Sequence, residues 1–215
     1  MKKVLIISAV GISVAFVFFL GNGSEPFRLP IYHPSDIDPD WVDKEFVDKT
    51  QVHRIPSFSF MDQNGNVITN EVFDGKIYVA DFFFTTCPGI CPTLTKHMGK
   101  VQKAFKDDQN VKIISHTVHP ENDSTAVLKA YSEMHRINSN QWHLVTGKKS
   151  ELYGIARQGY FSISKIEEKM KNAFIHTENF ILVDQERRIR GIYNGTIAHE
   201  VNRLIEDIQL LKKEL

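Results

Sequence analysis

One stretch near the middle of the chain switches from one hydrophobic pattern to another across a short loop. Residues 77–84 form an almost continuous apolar run, which is typical of a strand buried inside a sheet. After the loop, apolar side chains return every three or four residues, at Leu94, Met98, Val101 and Phe105. This period indicates a helix with one buried face. The stretch is therefore predicted to fold as a buried strand, a loop and a helix.

Both cysteines of the chain, Cys87 and Cys91, lie in that loop, within the sequence TTCPGICP. A helix start offers unpaired N–H groups and a partial positive charge, which favour thiolate over thiol. Thiolate attacks disulfides and binds soft metals, and Pro92 suits a first helical turn. The CxxxC spacing is wider than that of a CxxC redox pair, so it leaves room for one ion or a reversible disulfide. A structural disulfide and two inert core thiols are the plainer alternatives.

The N-terminal residues have the pattern of an export or anchoring segment. Lys2 and Lys3 precede an apolar run from Val4 to Leu20 that contains no charge. The length of the run is at the lower limit for a membrane span, and no A-x-A-like cleavage pattern follows it. We expect residues 1–21 to be a retained membrane anchor, with a cleaved signal peptide as the alternative. The positive-inside bias then places the folded part on the periplasmic, extracytoplasmic side.

The rest of the chain is predicted to form a linker and one domain. Residues 22–50 are rich in Pro, Asp and Ser, so we expect an extended linker. Residues 51–215 suit a single domain, and the chain's 15 Phe and 42% hydrophobic content can fill its core. Lys+Arg and Asp+Glu both number 26. With no net charge and no basic run, nucleic acid is not an expected partner.

The order of predicted elements indicates an α/β domain. A hairpin over 55–60 and 67–68 precedes the buried strand. Further strands are predicted at 110–118, 141–146, 180–183 and 188–193, and further helices at 124–135, 148–158 and from 197. The order β-β-β-α-β-α-β-α-β-β-α predicts a central mixed sheet flanked by helices, with an N-terminal β-hairpin. Sites in such sheets form at the carboxyl ends of strands, where the cysteine loop and the segment from His116 to His119 fall.

Four segments resemble the motifs of the Sco/SenC family. The run FFFTTCPGICP, from Phe82 to Pro92, resembles the signature F-x-F-T-x-C-P-x-x-C-P. In the same register, residues 115–123 are similar to S-x-D-P-E-x-D, residues 142–147 to W-x-x-L-T-G, and residues 176–184 to H-[ST]-x-x-x-x-L-[IV]-D. The resemblance covers approximately residues 50–215. It extends over the whole of the predicted domain.

The resemblance implies a thioredoxin-like fold and a membrane-tethered copper chaperone. Such a protein delivers copper to, or prepares, the binuclear copper site of cytochrome c oxidase. Its partner is the oxidase subunit that carries this site, or another copper acceptor. Carried over by position, the metal ligands are Cys87, Cys91 and His176. Two thiolates and one imidazole suit Cu(I) and can also hold Cu(II), and three ligands leave an open position for transfer of the ion.

Two positions depart from the family's pattern. The Asp of the D-P-E segment is His119 in this chain, and the Asp that often precedes the ligand histidine is Ile175. Both positions are expected near the metal, outside its direct ligands, where side chains orient ligands and tune affinity. The loss of two carboxylates is therefore expected to change copper affinity, redox behaviour or the partner surface. His119 is either an additional ligand or a surface histidine.

Two other functions fit the same loop. An extracytoplasmic thiol–disulfide oxidoreductase needs only Cys87 and Cys91, one attacking and the other resolving, and no obligatory metal. A peroxidase of the peroxiredoxin kind shares the fold, but its T-x-x-C pattern with an arginine partner is not evident. Ordinary thioredoxin-like oxidoreductases carry a cis-proline before the strand that faces the site. This chain has no proline after Pro120 and has His176 in that region, which favours a metal ligand.

The remaining polar residues near these motifs are expected to be structural. His97 is predicted to lie on the exposed side of the helix that follows the cysteines, and Trp142 to be a packing residue. Asp81 is a charged residue inside an apolar strand. If it is buried, it needs a partner and can tune the acidity of the nearby thiols. Exposure at a sheet edge is the alternative.

Overall fold

The computed structural model describes residues 28–37, 42, 52–162 and 177–214 of the chain. Its seven strands are β1 Ser59–Asp62, β2 Val67–Thr69, β3 Ile77–Phe83, β4 Val111–Thr117, β5 Trp142–Thr146, β6 Asn179–Val183 and β7 Ile189–Asn194. The helices are α1 Cys91–Ala104, α2 Thr125–Met134, α3 Lys149–Gly154, which continues as a π-helix over Ile155–Gly159, and α4 Ala198–Leu211. This is the order of elements that the sequence predicts.

The strands form one mixed sheet in the order β2-β1-β5-β4-β3-β6-β7. The central strands β3, β4 and β5 are parallel. The hairpin of β1 and β2 joins one side by antiparallel pairing of β1 with β5, and β6 and β7 extend the other side antiparallel to β3. The predicted α/β architecture, with its N-terminal hairpin, is confirmed.

Strand β3 lies at the centre of the molecule and every one of its residues is buried. Its alternate side chains contact different layers. Phe83 lies 5.5 Å from the ring of Tyr131 on α2, whereas Phe82 on the other face lies 5.7 Å from the ring of Tyr160 after the π-helix. A strand covered on both faces needs apolar residues on both, which explains why its sequence is apolar without alternation.

Helix α1 buries more of its surface than the apolar stripe predicts. Leu94, Met98, Val101 and Phe105 are all buried, as expected. The prediction that His97 is exposed is wrong, because α1 packs against α4 as well as the sheet. His97 is 9% exposed, and its Nδ1 lies 2.7 Å from the carbonyl oxygen of Gly195 in the turn before α4.

The first strand begins later than its alternating pattern suggests. Before Ser59 the backbone makes other contacts: Ile55 N–H donates to the carbonyl of Arg187 at 2.8 Å, and Phe58 N–H donates to Asn70 Oδ1 at 2.7 Å. Pro56 has no N–H to contribute to a ladder. The segment therefore links the hairpin to the far end of the sheet instead of extending β1.

Part of the predicted linker, residues 28–37, lies along the edge strand β7. Arg190, which is 4% exposed, forms ion pairs with Asp184 at 3.1 Å and Glu214 at 2.6 Å. Its guanidinium also donates to the carbonyl of Leu29 at 2.7 Å. Across the described ranges, no helix has both the length and the apolar character of a membrane span. The predicted anchor, residues 1–21, lies outside these ranges.

His116 is buried in an aromatic cluster on the face of the sheet opposite α1. Its ring lies 5.1 Å from that of Phe82, 5.4 Å from Tyr160 and 5.5 Å from Phe60. Neither ring nitrogen has a hydrogen-bond partner in the described part of the chain. Burial lowers the pKa of His116 to about 3. It lies within β4 and not with the thiols at the strand end.

The buried His116 predicts a loss of stability in acid. Between pH 6.5 and its lowered pKa the unfolded chain binds a proton that the folded chain excludes, so stability falls as pH falls. By pH 4 this amounts to about 3 kcal/mol. Because leucine has a similar volume and no titratable group, His116→Leu is expected to reduce the stability difference between pH 7 and pH 4 by that amount, measured by urea unfolding.

His199→Gln, on the exposed side of α4, is the matched control for this measurement. The interpretation is contradicted if His116→Leu and the unmodified chain lose the same unfolding free energy between the two pH values.

Candidate metal centre

The end of β3 and the start of α1 hold the two thiols in one tight loop. Cys87 N–H donates to the carbonyl of Phe84 at 3.3 Å, and the N–H groups of Thr93 and Leu94 donate to the carbonyl of Ile90 at 3.0 Å. Helix α1 begins at Cys91 itself, with proline in its first turn. The expected position of the pair at a helix start is therefore confirmed. Both cysteines are free.

The two thiols are buried and unequal in acidity. Burial raises the pKa of Cys87, but hydrogen bonds from the Cys91 thiol and from the N–H groups of Cys91, Gly89 and Ile90 outweigh it, so the net pKa is lowered. Burial raises the pKa of Cys91. A hydrogen bond from the Phe84 N–H opposes this shift, and the negative charge of Cys87 adds to it. Cys87 is therefore the more acidic thiol of the pair, and we expect it to be the nucleophile.

This inequality predicts the order of alkylation. The variant Cys91→Ser keeps Cys87, and Cys87→Ser keeps Cys91. Because the thiolate is the reactive form, the first variant is expected to react with iodoacetamide about tenfold faster at pH 7. Mass spectrometry measures the rate of alkylation. The control is the same pair of variants unfolded in urea, where both cysteines are expected to be alkylated at the same rate. Faster reaction of Cys91 in the folded chain would contradict the assignment.

A fully buried carboxylate, Asp123, joins the cysteine loop to the end of β4. It accepts hydrogen bonds from Thr85 N–H at 3.2 Å, from Thr85 Oγ1 at 2.5 Å and from Thr117 Oγ1. Asp123 and Ser124 directly precede α2, and both residue types commonly cap helices. The structure assigns the cap to Ser124, whose Oγ accepts from Val127 N–H. The role of Asp123 was missed, although the motif similarity over residues 115–123 includes it.

Removing this carboxylate is expected to destabilise the fold and loosen the loop. Asp123→Ala leaves buried donors of Thr85 and Thr117 without an acceptor, which costs about 2–4 kcal/mol of unfolding free energy. Asp123→Asn keeps one acceptor oxygen and is expected to lose less. Urea unfolding measures both, and Asp107→Ala, at a side chain that is 89% exposed, is the control. Equal unfolding free energies of Asp123→Ala and the control variant would contradict the stabilising role of the Asp123 carboxylate.

A second buried carboxylate, Asp81, lies beneath the thiols. It is 2% exposed and accepts a hydrogen bond from Ser115 Oγ, which in turn accepts from Trp142 Nε1 at 2.8 Å. Burial raises the pKa of Asp81 to about 7, although the Ser115 hydrogen bond opposes the shift. Its negative charge contributes to the raised pKa of Cys91. The buried alternative for Asp81 is therefore correct, and Trp142 has a polar contact besides its packing.

The structure brings together two of the three predicted ligands. Cys87 and Cys91 are adjacent, whereas His176 and the preceding Ile175 lie outside the described residues. Within the described ranges, no group of three or more His, Cys, Asp or Glu side chains is arranged to hold a metal ion. His119 is partly buried, its ring edge-on to Phe84 at 6.2 Å. The assignment of His176 as a ligand and the role of His119 both stay predictions.

A groove opens beside the thiols, between the start of α1 and one side of α2. Its volume is about 280 Å³, and solvent reaches the cysteine pair through it. The helical residues that line it are Cys91, Pro92, Val127, Ala130, Tyr131 and Met134. Tyr131 fixes the spacing of the two helices, because its hydroxyl lies 2.7 Å from Thr95 Oγ1 on α1. The pair is thus buried but approachable from one side.

Comparison with known proteins gives consistent matches. The profile of the SCO1/SenC family matches residues 48–212. The SCO1 protein homolog of Bacillus subtilis is 32% identical over 159 residues, which are 73% of this chain and 82% of that protein. The structure of BsSco, a Sco-family cytochrome c oxidase assembly protein with a disulfide switch, superposes with a TM-score of 0.65 at 31% identity, over 75% of this chain and 94% of that one.

A copper-bound relative has the same fold. Bradyrhizobium japonicum ScoI with copper bound superposes with a TM-score of 0.57 at 25% identity, covering 74% of this chain and 98% of that one. The mixed sheet and its flanking helices are therefore those of the Sco thioredoxin-like fold, as the sequence predicted. The cysteine loop lies inside the matched region of the family profile.

Proposed function

The chain belongs to the SCO1/SenC family, and from this membership and the chemistry of its cysteine pair we propose that it is a copper-binding metallochaperone. It carries copper as cargo and delivers it to, or prepares, the binuclear copper site of cytochrome c oxidase. The N-terminal apolar run tethers it to the membrane, with the domain on the periplasmic side. The relationship to cytochrome c oxidase assembly proteins and to copper-bound ScoI supports this proposal.

The observation that carries the proposal is the pair of free thiols at the start of α1. Cys87 has a lowered pKa and lies within hydrogen-bonding reach of Cys91. Soft thiolates select Cu(I) over the harder ions, and the open groove lets an acceptor reach the ion. His176 supplies the third ligand in this proposal, on the strength of its register with the family motif. Two thiolates and an imidazole then hold copper firmly while leaving a position for the acceptor.

The same pair supports a second function, thiol–disulfide exchange without obligatory metal. The unequal acidity of the thiols suits the two steps: the Cys87 thiolate attacks a partner disulfide, and Cys91 then resolves the mixed disulfide. The partner disulfide is reduced to two thiols as Cys87 and Cys91 are oxidised to a disulfide. The disulfide switch of the related BsSco supports this alternative. Such a reaction would prepare acceptor cysteines for metallation.

Titration with Cu(I) against a competing chelator tests the chaperone site. The full chain is reduced and kept in detergent, and Cys87→Ser, Cys91→Ser and His176→Ala are measured alongside. One tight equivalent is expected, and each substitution is expected to weaken it by about tenfold or more, because each removes one of three ligands.

His199→Ala, at an exposed position on α4, is the matched control for the histidine variant and is expected to bind normally. Binding that is indifferent to His176 would overturn the three-ligand site. Weak binding by the unmodified chain, together with rapid reduction of a disulfide substrate, would establish the second function in place of the first.

A further inference from the structure

The solvent-facing side of α1 carries a row of exposed lysines. Lys96, Lys100 and Lys103 are all exposed, and none forms an ion pair with any residue that the structure describes. The helix has no acidic residue along its whole length. Its N-terminus adds a partial positive charge at the end where the cysteines lie. The exposed side of α1 is therefore uniformly positive.

These lysines lie on the turns of α1 that follow the groove's own lining on this helix, which is Cys91 and Pro92. The side of α1 that faces α2 is marked by Thr95, which contacts Tyr131, and by Gln102, which donates to the carbonyl of Arg136 at 3.3 Å. Lys96 and Lys103 each follow one of these residues in the chain. Consecutive helical residues are separated by about 100° around the axis, so the lysines lie on the solvent side of α1, next to the side that faces α2.

The opposite wall of the groove, on α2, is largely apolar and exposed, and the exposed His135 follows it. Met134 is 76% exposed and Val127 is 36% exposed. The charges nearest to them on α2, Lys129 and Glu133, are 3.8 Å apart and offset each other. The groove thus has one largely apolar wall and the cysteine pair at its end, and the lysines of α1 lie on the neighbouring surface.

We propose that this groove docks a segment of a partner protein that carries acidic and apolar side chains around a cysteine. The acidic side chains pair with the lysines of α1, the apolar ones cover Met134 and Val127, and the cysteine reaches Cys87. The inference rests on the proposed function, since it specifies the acceptor's surface. A polypeptide is favoured over a lipid surface because the lysines border a groove that ends at buried thiols, which a flat bilayer cannot enter.

Docking can be measured by the rate of one thiol–disulfide exchange reaction. The Cys87 thiolate attacks the peptide sulfur of a peptide–thiopyridine mixed disulfide. A new bond forms between Cys87 and the peptide cysteine as the old sulfur–sulfur bond breaks, and pyridinethione leaves and takes up a proton. Its absorbance reports the rate. The probes are three synthetic peptides with leucine beside a central cysteine, flanked by glutamate, serine or lysine.

With the reduced full chain in detergent, the glutamate peptide is expected to react about tenfold faster than the lysine peptide at low salt, and the difference to shrink as salt is added. The triple variant Lys96→Glu, Lys100→Glu, Lys103→Glu is expected to reverse the order. Met134→Ser is expected to slow all three peptides about threefold, because each loses the same apolar contact.

The control triple variant, Lys148→Glu, Lys149→Glu, Lys213→Glu, makes the same charge change at α3 and the C-terminal end of α4. It is expected to keep the original order. Reaction with uncharged 4,4′-dithiodipyridine is expected to be equal in all variants, which shows that the thiols are intact. Cu(I) affinity is measured in parallel, so that failure of the docking site is distinguished from failure of the copper site.

Equal rates for the glutamate and lysine peptides, or reversal by the control variant as well, would overturn the proposal. The lipid alternative is tested in vesicles of phosphatidylcholine, with and without phosphatidylglycerol. If the anionic lipid abolishes the preference for the glutamate peptide, the lysines lie against the membrane and the proposal is overturned. A preference that persists in both kinds of vesicle supports it.

Discussion

The contact on which the site depends is the set of hydrogen bonds around the carboxylate of Asp123. Parallel strands β3 and β4 end side by side, but the chain leaves them in different directions, toward the cysteines and toward α2. Asp123 accepts hydrogen bonds from Thr85 on one side and Thr117 on the other, so it holds the start of the cysteine loop against the end of β4. With its carboxylate fully buried, the loop that presents the thiols has a defined position above the sheet.

The thiols differ in acidity because two kinds of environment meet at the loop. Cys87 is surrounded by N–H donors from the first turn of α1, whereas Cys91 faces the protein interior and the charge of Asp81. A metal site and a redox pair both need an easily formed thiolate that a second sulfur can assist. The same geometry therefore suits both proposed functions, copper binding and disulfide exchange, which share one structural basis.

The thiol pair and the lysines of the proposed docking surface share one helix. The first turn of α1 acidifies a thiol, its inner side packs on the sheet and α4, and its outer side carries the exposed lysines.

The sequence alone determined the element order, the helical stripe and the cysteine loop, because hydrophobic periodicity and the local preferences of proline and glycine act over a few residues. The Sco/SenC motifs identified the family for the same reason, since each is contiguous. The tertiary structure decided the burial of His97 under α4, the isolation of His116 among aromatic rings, and the joint roles of Asp81 with Ser115 and of Asp123 with Thr85. These depend on side chains that are distant in sequence and meet only when the sheet and helices pack, so no local pattern predicts them.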